Sequence, residues 1–296
     1  MEIRNLITFV QVAEQNSFTK AAKILDYSQS TVSFQIKQLE SELNCLLFER
    51  INHTIMLTEK GEELLVYAKK ICNLTDEFNR AFAAPHEING FLRIVTPDSV
   101  CEDMIKANYV DFHRRYPGIS LQFTTANTAE MFRILDHNEA DLMLTLDNHL
   151  YHRDYVIVQE EPIGIHFVTG ADSPFATSKS LTLRDLSKMP FILTEKGYGY
   201  RRIFDEAAAK ESLDILPILE LGRTDIIATL LERGVGVSFL PDFVTAQQVK
   251  AGKLIYLNVP DVKANVWKQL ICHKNKWITD SMRALLNFIK ANEFGR

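Results

Sequence analysis

Apolar residues Ile3, Leu6, Phe9, Val10 and Ala13 recur at helical intervals and predict a first helix with one buried face. Asn16-Ser17 interrupts the pattern, and Ser17 can cap a second helix that turns Phe18, Ala21, Ala22 and Leu25 inward. The small pair Ala21-Ala22 lets another helix approach closely. After Asp26-Tyr27-Ser28, Ser28 or Ser30 can cap a third helix with Val32, Ile36, Leu39 and Leu43 inside. Two helices joined by so short a turn match the helix-turn-helix pattern. Residues 47–58 hold two short extended stretches around Asn52-His53, the pattern of a small β wing.

From 59 to about 82 the chain has no proline, and its one glycine, Gly61, lies in the first turn. Leu64, Ala68, Ile71, Thr75, Phe78 and Phe82 alternate in steps of four and three, a heptad seam over nearly three repeats. A helix of ~24 residues would be about 36 Å long, long for a core helix. The spacing therefore predicts a dimerising helix rather than an ordinary amphipathic one.

Ala83-Ala84-Pro85-His86 ends that helix, and strands then alternate with helices. Strands are predicted at 91–96, 119–125 and 141–146, with helices through Met104, Tyr109, Phe112 and Tyr116 and over 128–137. This β-α-β-α-β order implies a parallel sheet with ligands at the carboxyl ends of its strands. The second half repeats the logic, with strands near 164–169, 191–194, 216–221, 236–240 and 254–257. A late strand at 266–273 and a final helix at 279–292 complete an α/β chain, with two sheet units in a hinged, two-lobe binder.

Composition narrows the class. The 296 residues suffice for about two domains, and 46% hydrophobic with 24% charged residues excludes intrinsic disorder. No apolar run approaches the ~18 residues of a membrane span, and Glu2, Arg4, Asn5, Gln11 and Glu14 break the N-terminus unlike a signal peptide. Cys45, Cys72, Cys101 and Cys272 have no short spacing, so neither a disulfide framework nor a zinc site is indicated, and a reducing cytoplasm is expected. The net charge of −5 leans away from nucleic acid. Residues 1–58 carry five Lys or Arg against six Asp or Glu, so even the helix-turn-helix segment is not basic.

Catalytic patterns are missing. There is no His-Glu-x-x-His, Gly-x-Ser-x-Gly or Gly-x-x-x-x-Gly-Lys stretch. Gly234-x-Gly236 falls between a helix and a strand, the wrong order for a dinucleotide loop. His149 and His152 are three apart without a nearby third ligand, and Cys101 has no resolving cysteine close in sequence. No enzyme, cofactor or metal is expected.

The ordered set of motifs resembles the LysR-type transcriptional regulators. Ser17-Phe18-Thr19-Lys20-Ala21-Ala22-x-x-Leu25, Ser28-Gln29-x-x-Val32-Ser33-x-x-Ile36-x-x-Leu39-Glu40, Leu47-Phe48-Glu49-Arg50 and Leu57-Thr58-x-x-Gly61 carry the N-terminal likeness. Arg115-Tyr116-Pro117-Gly118-Ile119 and 234–241 resemble the family's effector domain, so the likeness spans the whole chain in order.

The resemblance implies a winged helix-turn-helix at 1–58, a linker and dimerisation helix at 59–88, and a periplasmic-binding-protein-like effector domain. Its first lobe would comprise 89–163 and 267–296, its second 164–266. The third helix fits a major groove, with Gln29, Ser30, Thr31, Ser33, Phe34, Gln35 and Lys37 not spent on the core. Arg50 and Lys37 are candidates for phosphate and His53 for a minor groove. Phe34 stands where many members are basic, which predicts weak non-specific binding and reliance on direct contacts and dimerisation.

For the effector, the resemblance points to Thr96, Asp98 and Ser99, where helix amides could receive an anion or hydroxyl, and to Thr128, Thr145, Thr194, Arg201 and Thr224. Arg201 can clamp a carboxylate or pair with Asp205; with Asp98 it would suit an amino acid. The family likeness further implies promoter DNA, a small-molecule effector, a second copy of the chain in a dimer or tetramer, and RNA polymerase as partners, with no membrane. A solute-binding protein would explain only 90–296 and would want a signal peptide; an α/β enzyme lacks a visible nucleophile, base or metal set.

Overall fold

The structure is a computed structural model that describes all residues except 52–53, 83–87, 179 and 296, with the side chains of 50, 51, 54, 76, 77 and 79–82 also outside the description. It divides into two units, one of residues 1–88 with 274–283 and one of 89–273 with 284–296.

In the first unit, α1 (Ile3–Gln15), α2 (Phe18–Ile24) and α3 (Gln29–Leu43) form as the periodicity predicts. Asn16 and Asn44 take the left-handed conformation that stops α1 and α3. The three helices enclose Leu6, Phe9, Val10, Ala21, Val32, Ile36 and Leu39, all buried. Next come β1 (Phe48–Ile51) and β2 (Thr54–Leu57), an antiparallel pair with Phe48 opposite Leu57 and Ile51 opposite Thr54. Phe48 ties this wing down, its ring 5.3 Å from Phe9 and 5.8 Å from Phe18.

The long helix α4 (Glu59–Phe82) buries Leu65, Ala68 and Cys72 in the same core, with Leu64 and Ile71 packed against it. The expected heptad seam is thus partly spent on the chain's own first helices. The apolar residues left exposed lie on another stripe: Val66, Tyr67, Leu74 and Phe78. Trp277, from the 274–283 segment, also packs against this core, and its backbone N–H donates to the Glu14 carboxylate.

In the second unit, β3 (Gly90–Thr96), α5 (Asp98–Arg115), β4 (Ile119–Thr125), α6 (Thr128–Asp136) and β5 (Leu142–Asp147) form the expected β-α-β-α-β run. β3 pairs parallel with both β4 and β5. β6 (Tyr155–Ile163) has no counterpart among the predicted strands. It is an edge strand containing Pro162 and two glutamates, where a missing ladder donor does little harm.

Then follow β7 (Ile165–Gly170), α7 (Leu183–Leu186), β8 (Ile192–Leu193), α8 (Gly199–Lys210), β9 (Leu219–Glu220), α9 (Thr224–Glu232), β10 (Val237–Pro241), α10 (Asp242–Lys250), β11 (Leu254–Leu257), β12 (Val266–His273) and α11 (Asp280–Asn292). β12 returns antiparallel between β5 and β6, so the first sheet reads β4-β3-β5-β12-β6 and is mixed. The second sheet departs further from the expected repeat, because β10 and β11 both flank β7 antiparallel. The short parallel pair β8-β9 joins it through a single bridge between Phe191 and Val237. The parallel run of β3, β4 and β5 ends beside Thr96.

Candidate DNA-reading face and effector cleft

The start of α3 is built on one serine. The Ser28 hydroxyl accepts from the Thr31 backbone N–H at 3.1 Å and shares hydrogen bonds with Ser30 and Thr31 hydroxyls at 2.7 and 2.8 Å. A cap of this kind contributes about 1 kcal/mol and fixes the first turn. It presents Gln29, Ser30, Thr31, Phe34 and Lys37 outward, with Ser33 half-buried beside them. Phe34 is 67% exposed, a large apolar ring facing solvent on an otherwise polar face.

Gln35 departs from the sequence expectation. It is buried, and its side-chain carbonyl accepts the Thr8 hydroxyl at 2.6 Å, pinning α3 to α1. Gln35 faces the neighbouring helix because it falls one turn before Leu39 on the inner stripe. His53 lies outside the described residues; Arg50 sits on β1 opposite Ile55, its side chain likewise undescribed.

One contact fixes the wing relative to α3 and a second fixes it relative to α4. One Glu40 carboxylate oxygen accepts the backbone N–H of Leu47 at 2.8 Å and of Phe48 at 3.4 Å. Gly61 must be glycine, because a Cβ there would stand 2.2 Å from the Leu47 carbonyl oxygen. Sequence spacing offers neither contact.

The second unit buries several of the predicted hydroxyls and brings two of them, Ser99 and Thr224, to one cavity. Thr96 ends β3, Thr145 lies in the adjacent β5, Ser99 is in the first turn of α5, and Thr224 starts α9. All four are buried; the Thr96, Thr145 and Thr224 hydroxyls find no hydrogen-bond partner among the described residues, and Ser99 has only Tyr200 beside it. Ser238 on β10, inside the 234–241 stretch but not among the effector contacts the sequence predicts, is likewise buried and without a partner among the described residues. An unsatisfied buried hydroxyl costs about 1–3 kcal/mol, so a group of them marks a place where a polar ligand would restore what folding leaves unpaired. Ser99 and Thr224 line one cavity of about 210 Å³.

The other predicted residues serve different ends. Thr128 donates to the Asp147 carboxylate at 2.8 Å, and Asp98 accepts from the Tyr198 hydroxyl at 2.8 Å. The Thr194 carbonyl accepts from Arg201. Arg201 does not stand ready as a carboxylate clamp: its buried guanidinium pairs with Asp205 and Glu220, each at 2.9 Å. The pairing with Asp205 at i, i+4 is the alternative that the spacing offers. The geometry instead sets Tyr198 against Asp98.

Three residues escape a motif search yet join the two sheets' layers. Asp147, buried at the end of β5, accepts from Thr128 and pairs with Arg202 of α8 at 2.6 Å. Gly199, at the start of α8, lies so close that a Cβ would stand 2.4 Å from the Asp147 carboxyl carbon. The acidic surroundings also reach neighbouring groups. Burial first, then Asp98 and Glu102, pushes the Cys101 thiol up to about 11. Burial and the bond to Asp98 raise the Tyr198 phenol, and burial pushes Tyr200 up to about 12.

Among the described residues no group of three or more His, Cys, Asp or Glu could hold a metal ion. His149 is engaged by Glu160 at 2.9 Å and packs edge-on against Trp267. No described helix is long and apolar enough to cross a membrane.

A capped reading helix with a wing, followed by a two-lobe α/β unit with unsatisfied hydroxyls between its layers, is the build of a ligand-responsive transcription regulator. Residues 3–62 match the model for bacterial regulatory helix-turn-helix proteins of the lysR family, and residues 85–293 the LysR substrate binding domain. The chain belongs to the LysR family of transcriptional regulators. It is similar to the HTH-type transcriptional regulator YwqM of Bacillus subtilis, 32% identical over 98% of this chain and 99% of the relative. CzcR of Bacillus cereus is 29% identical over 98% and 97%. In fold the chain is similar to a full-length OxyR variant of Pseudomonas aeruginosa (TM-score 0.58, 20% identity, 99% of this chain and 95% of that one). CrgA of Neisseria meningitidis gives a TM-score of 0.56 at 20% identity, covering 100% of both chains. YwqM and CzcR are both transcriptional regulators, and as a member of the same family the chain is a regulator rather than an enzyme.

Proposed function

We propose that this regulator reads promoter DNA through Gln29, Ser30, Thr31, Ser33, Phe34 and Lys37, and that a small metabolite bound in the second unit alters promoter binding or bending. The boundaries offered are a reader at 1–58, a linker helix at 59–88 and effector lobes at 89–163 with 267–296 and at 164–266. A dimer, joined through α4, would set two copies of α3 in successive major grooves of an imperfect palindrome. Gln29 can bond an adenine edge, and Phe34 can contact a thymine methyl. Pairing of such dimers into a tetramer, contact with RNA polymerase and residence in the cytoplasm complete the reading.

The observation that carries the effector half is the set of buried hydroxyls of Thr96, Thr145 and Thr224, unpartnered among the described residues, with Ser99 beside Tyr200. A ligand that bonds them in one arrangement of the lobes shifts the assembly only by its differential affinity for that arrangement. Of the two classes the sequence offers, carboxylates and amino acids, the amino-bearing one suits the Asp98 surroundings better, since Arg201 is committed to Asp205 and Glu220.

A gel shift with the DNA upstream of its gene, repeated across salt concentrations, tests the reading. Retardation that needs a particular sequence is expected. Tight retardation of any DNA, or none, would overturn it.

A further inference from the structure

The cavity of about 210 Å³ lies between α5 on one side and α9 with α10 on the other. Ser99 and Thr224 line it, each nine-tenths or more buried; the Thr224 hydroxyl finds no partner among the described residues, and the Ser99 hydroxyl, turned toward Tyr200, keeps its oxygen free to accept. Glu102, Asp103, Lys106 and Asp225 supply its charged walls. We propose that this cavity holds an organic cation, a small molecule bearing at least one primary ammonium group. The inference rests on the reading of this unit as the effector-binding part, and it names the ligand class.

Charge decides between cation and anion. The helices α5 and α9 begin here without side-chain caps, and each N-terminus carries a partial charge of about +0.5. Asp98 and Asp225 already occupy those first turns, so the helix ends are compensated by the chain itself. The carboxylates of Glu102, Asp103 and Asp225 line the cavity together with Lys106; Asp98 and Glu195 stand behind, beside Gly222, and Arg223 beside Asp225.

The two cations are spent. Lys106 pairs with Glu102, and Arg223 binds Asp225 through two bonds of 2.6 and 3.0 Å. Asp98 and Glu195 converge: one oxygen of each lies 3.4 and 3.5 Å from where a Cβ on Gly222 would stand, two residues before Thr224. Burial first, and then Asp98 and Glu102, keep the neighbouring Cys101 thiol protonated.

An ammonium group brings three donors and no acceptor. The Ser99 and Thr224 oxygens can accept two of them, and a surrounding carboxylate can take the third as a charge-assisted bond. An anion would meet the same hydroxyls under a net repulsive field. The volume equals that of about seven waters at ~30 Å³ each, enough for a diamine or a basic amino acid.

Thermal unfolding of the full chain with putrescine, spermidine, agmatine and L-lysine, against succinate and citrate at matched ionic strength, tests the inference. At least one amine is expected to raise Tm saturably, as ligand linked to the native state must, while the dicarboxylate and tricarboxylate do not. Thr224→Val should weaken that amine at least tenfold. Glu102→Gln, which leaves Lys106 uncompensated at the wall, should do the same and serves if the threonine variant fails to fold. The inference is overturned if no amine acts saturably, if only the anions do, or if both variants respond as the native chain. A gel shift on the same preparations keeps the two readings apart. Amine response without DNA retardation would sink the regulator reading alone, and retardation without amine response would sink the cation site alone.

Discussion

Asp147 and Arg202 meet at 2.6 Å, one buried at the end of β5 and the other half-exposed on α8. Asp147 also accepts from Thr128 and from the Asn148 backbone N–H at 2.7 Å, so its carboxylate is held from three sides. The pair ties the layer of the first sheet to that of the second. Arg202→Ala should destabilise the chain by about 1–3 kcal/mol, because it removes a charge-assisted bond from a buried carboxylate. Chemical denaturation of the variant and the native chain measures this; an unchanged midpoint would show that the pair holds nothing.

Gln35 and Lys37 should separate cleanly by assay. Gln35→Ala removes the acceptor of the buried Thr8 hydroxyl and should cost about 1–2 kcal/mol of stability. Lys37→Ala should leave stability within about 0.5 kcal/mol, weaken DNA binding and lower the salt slope by about one. Thermal unfolding and salt-dependent gel shifts of both variants provide the check.

The carboxyl of Glu14 is raised above its ordinary 4.5, first by burial, with Lys69, Lys276 and the Trp277 N–H acting against it. A raised carboxyl contributes stability that is present below its unfolded value and is lost as pH rises through its folded value. Glu14→Gln cannot ionise and escapes that loss. The stability of the variant relative to the native chain should therefore improve from about pH 4 to pH 7, as paired denaturation curves would reveal. A difference that stays flat, or moves the other way, contradicts the burial account.

Cys101, held near 11, should be a poor nucleophile. At pH 8 its alkylation by iodoacetamide should run on the order of 10-fold slower than that of glutathione, the smaller thiolate fraction being partly offset by the greater nucleophilicity of a more basic thiolate. Mass spectrometry of the labelled chain follows this directly, and comparable rates would point to a reactive thiol.

Tyr67 and Leu74 are exposed on α4, whereas Leu65 and Ala68 are buried in its own unit. Charged substitutions should split accordingly. Leu74→Glu should lower the mass of the assembly in light scattering with little change in monomer fold, whereas Ala68→Glu should unfold the first unit by placing a charge in its core.

Much of the first unit is legible because local signals agree: capping Ser17 and Ser28, apolar residues on one face, and the breaks at Asn16-Ser17 and Asp26-Tyr27-Ser28 all fix the same helices. The α4 seam misleads in part. Heptad spacing says which residues share a stripe, but Leu64 and Ile71 turn toward the chain's own core once α1 is present. Gln35 is ambiguous for a related reason, since a polar residue on a helix carries no sign of the threonine that will face it. In the second unit, β6 lacks a clean alternation and holds a proline, so only its pairing with β12 reveals it. The hydroxyls of Thr96, Ser99, Thr145 and Thr224 can be named by family likeness; that those of Thr96, Thr145 and Thr224 go unsatisfied among the described residues is a fact of three-dimensional packing. Asp147 and Arg202 lie 55 positions apart, and no local spacing connects them.

The face of α3 that would meet DNA offers Lys37 as its single cation beside serine, threonine, glutamine and an exposed phenylalanine. Non-specific residence on DNA is almost wholly a matter of phosphate neutralisation. A face so poor in positive charge would leave random sequence quickly and slide over it only briefly. Its search would proceed by repeated three-dimensional encounters, with few copies held up elsewhere on the chromosome, so that occupancy of the operator would follow the number of free dimers closely.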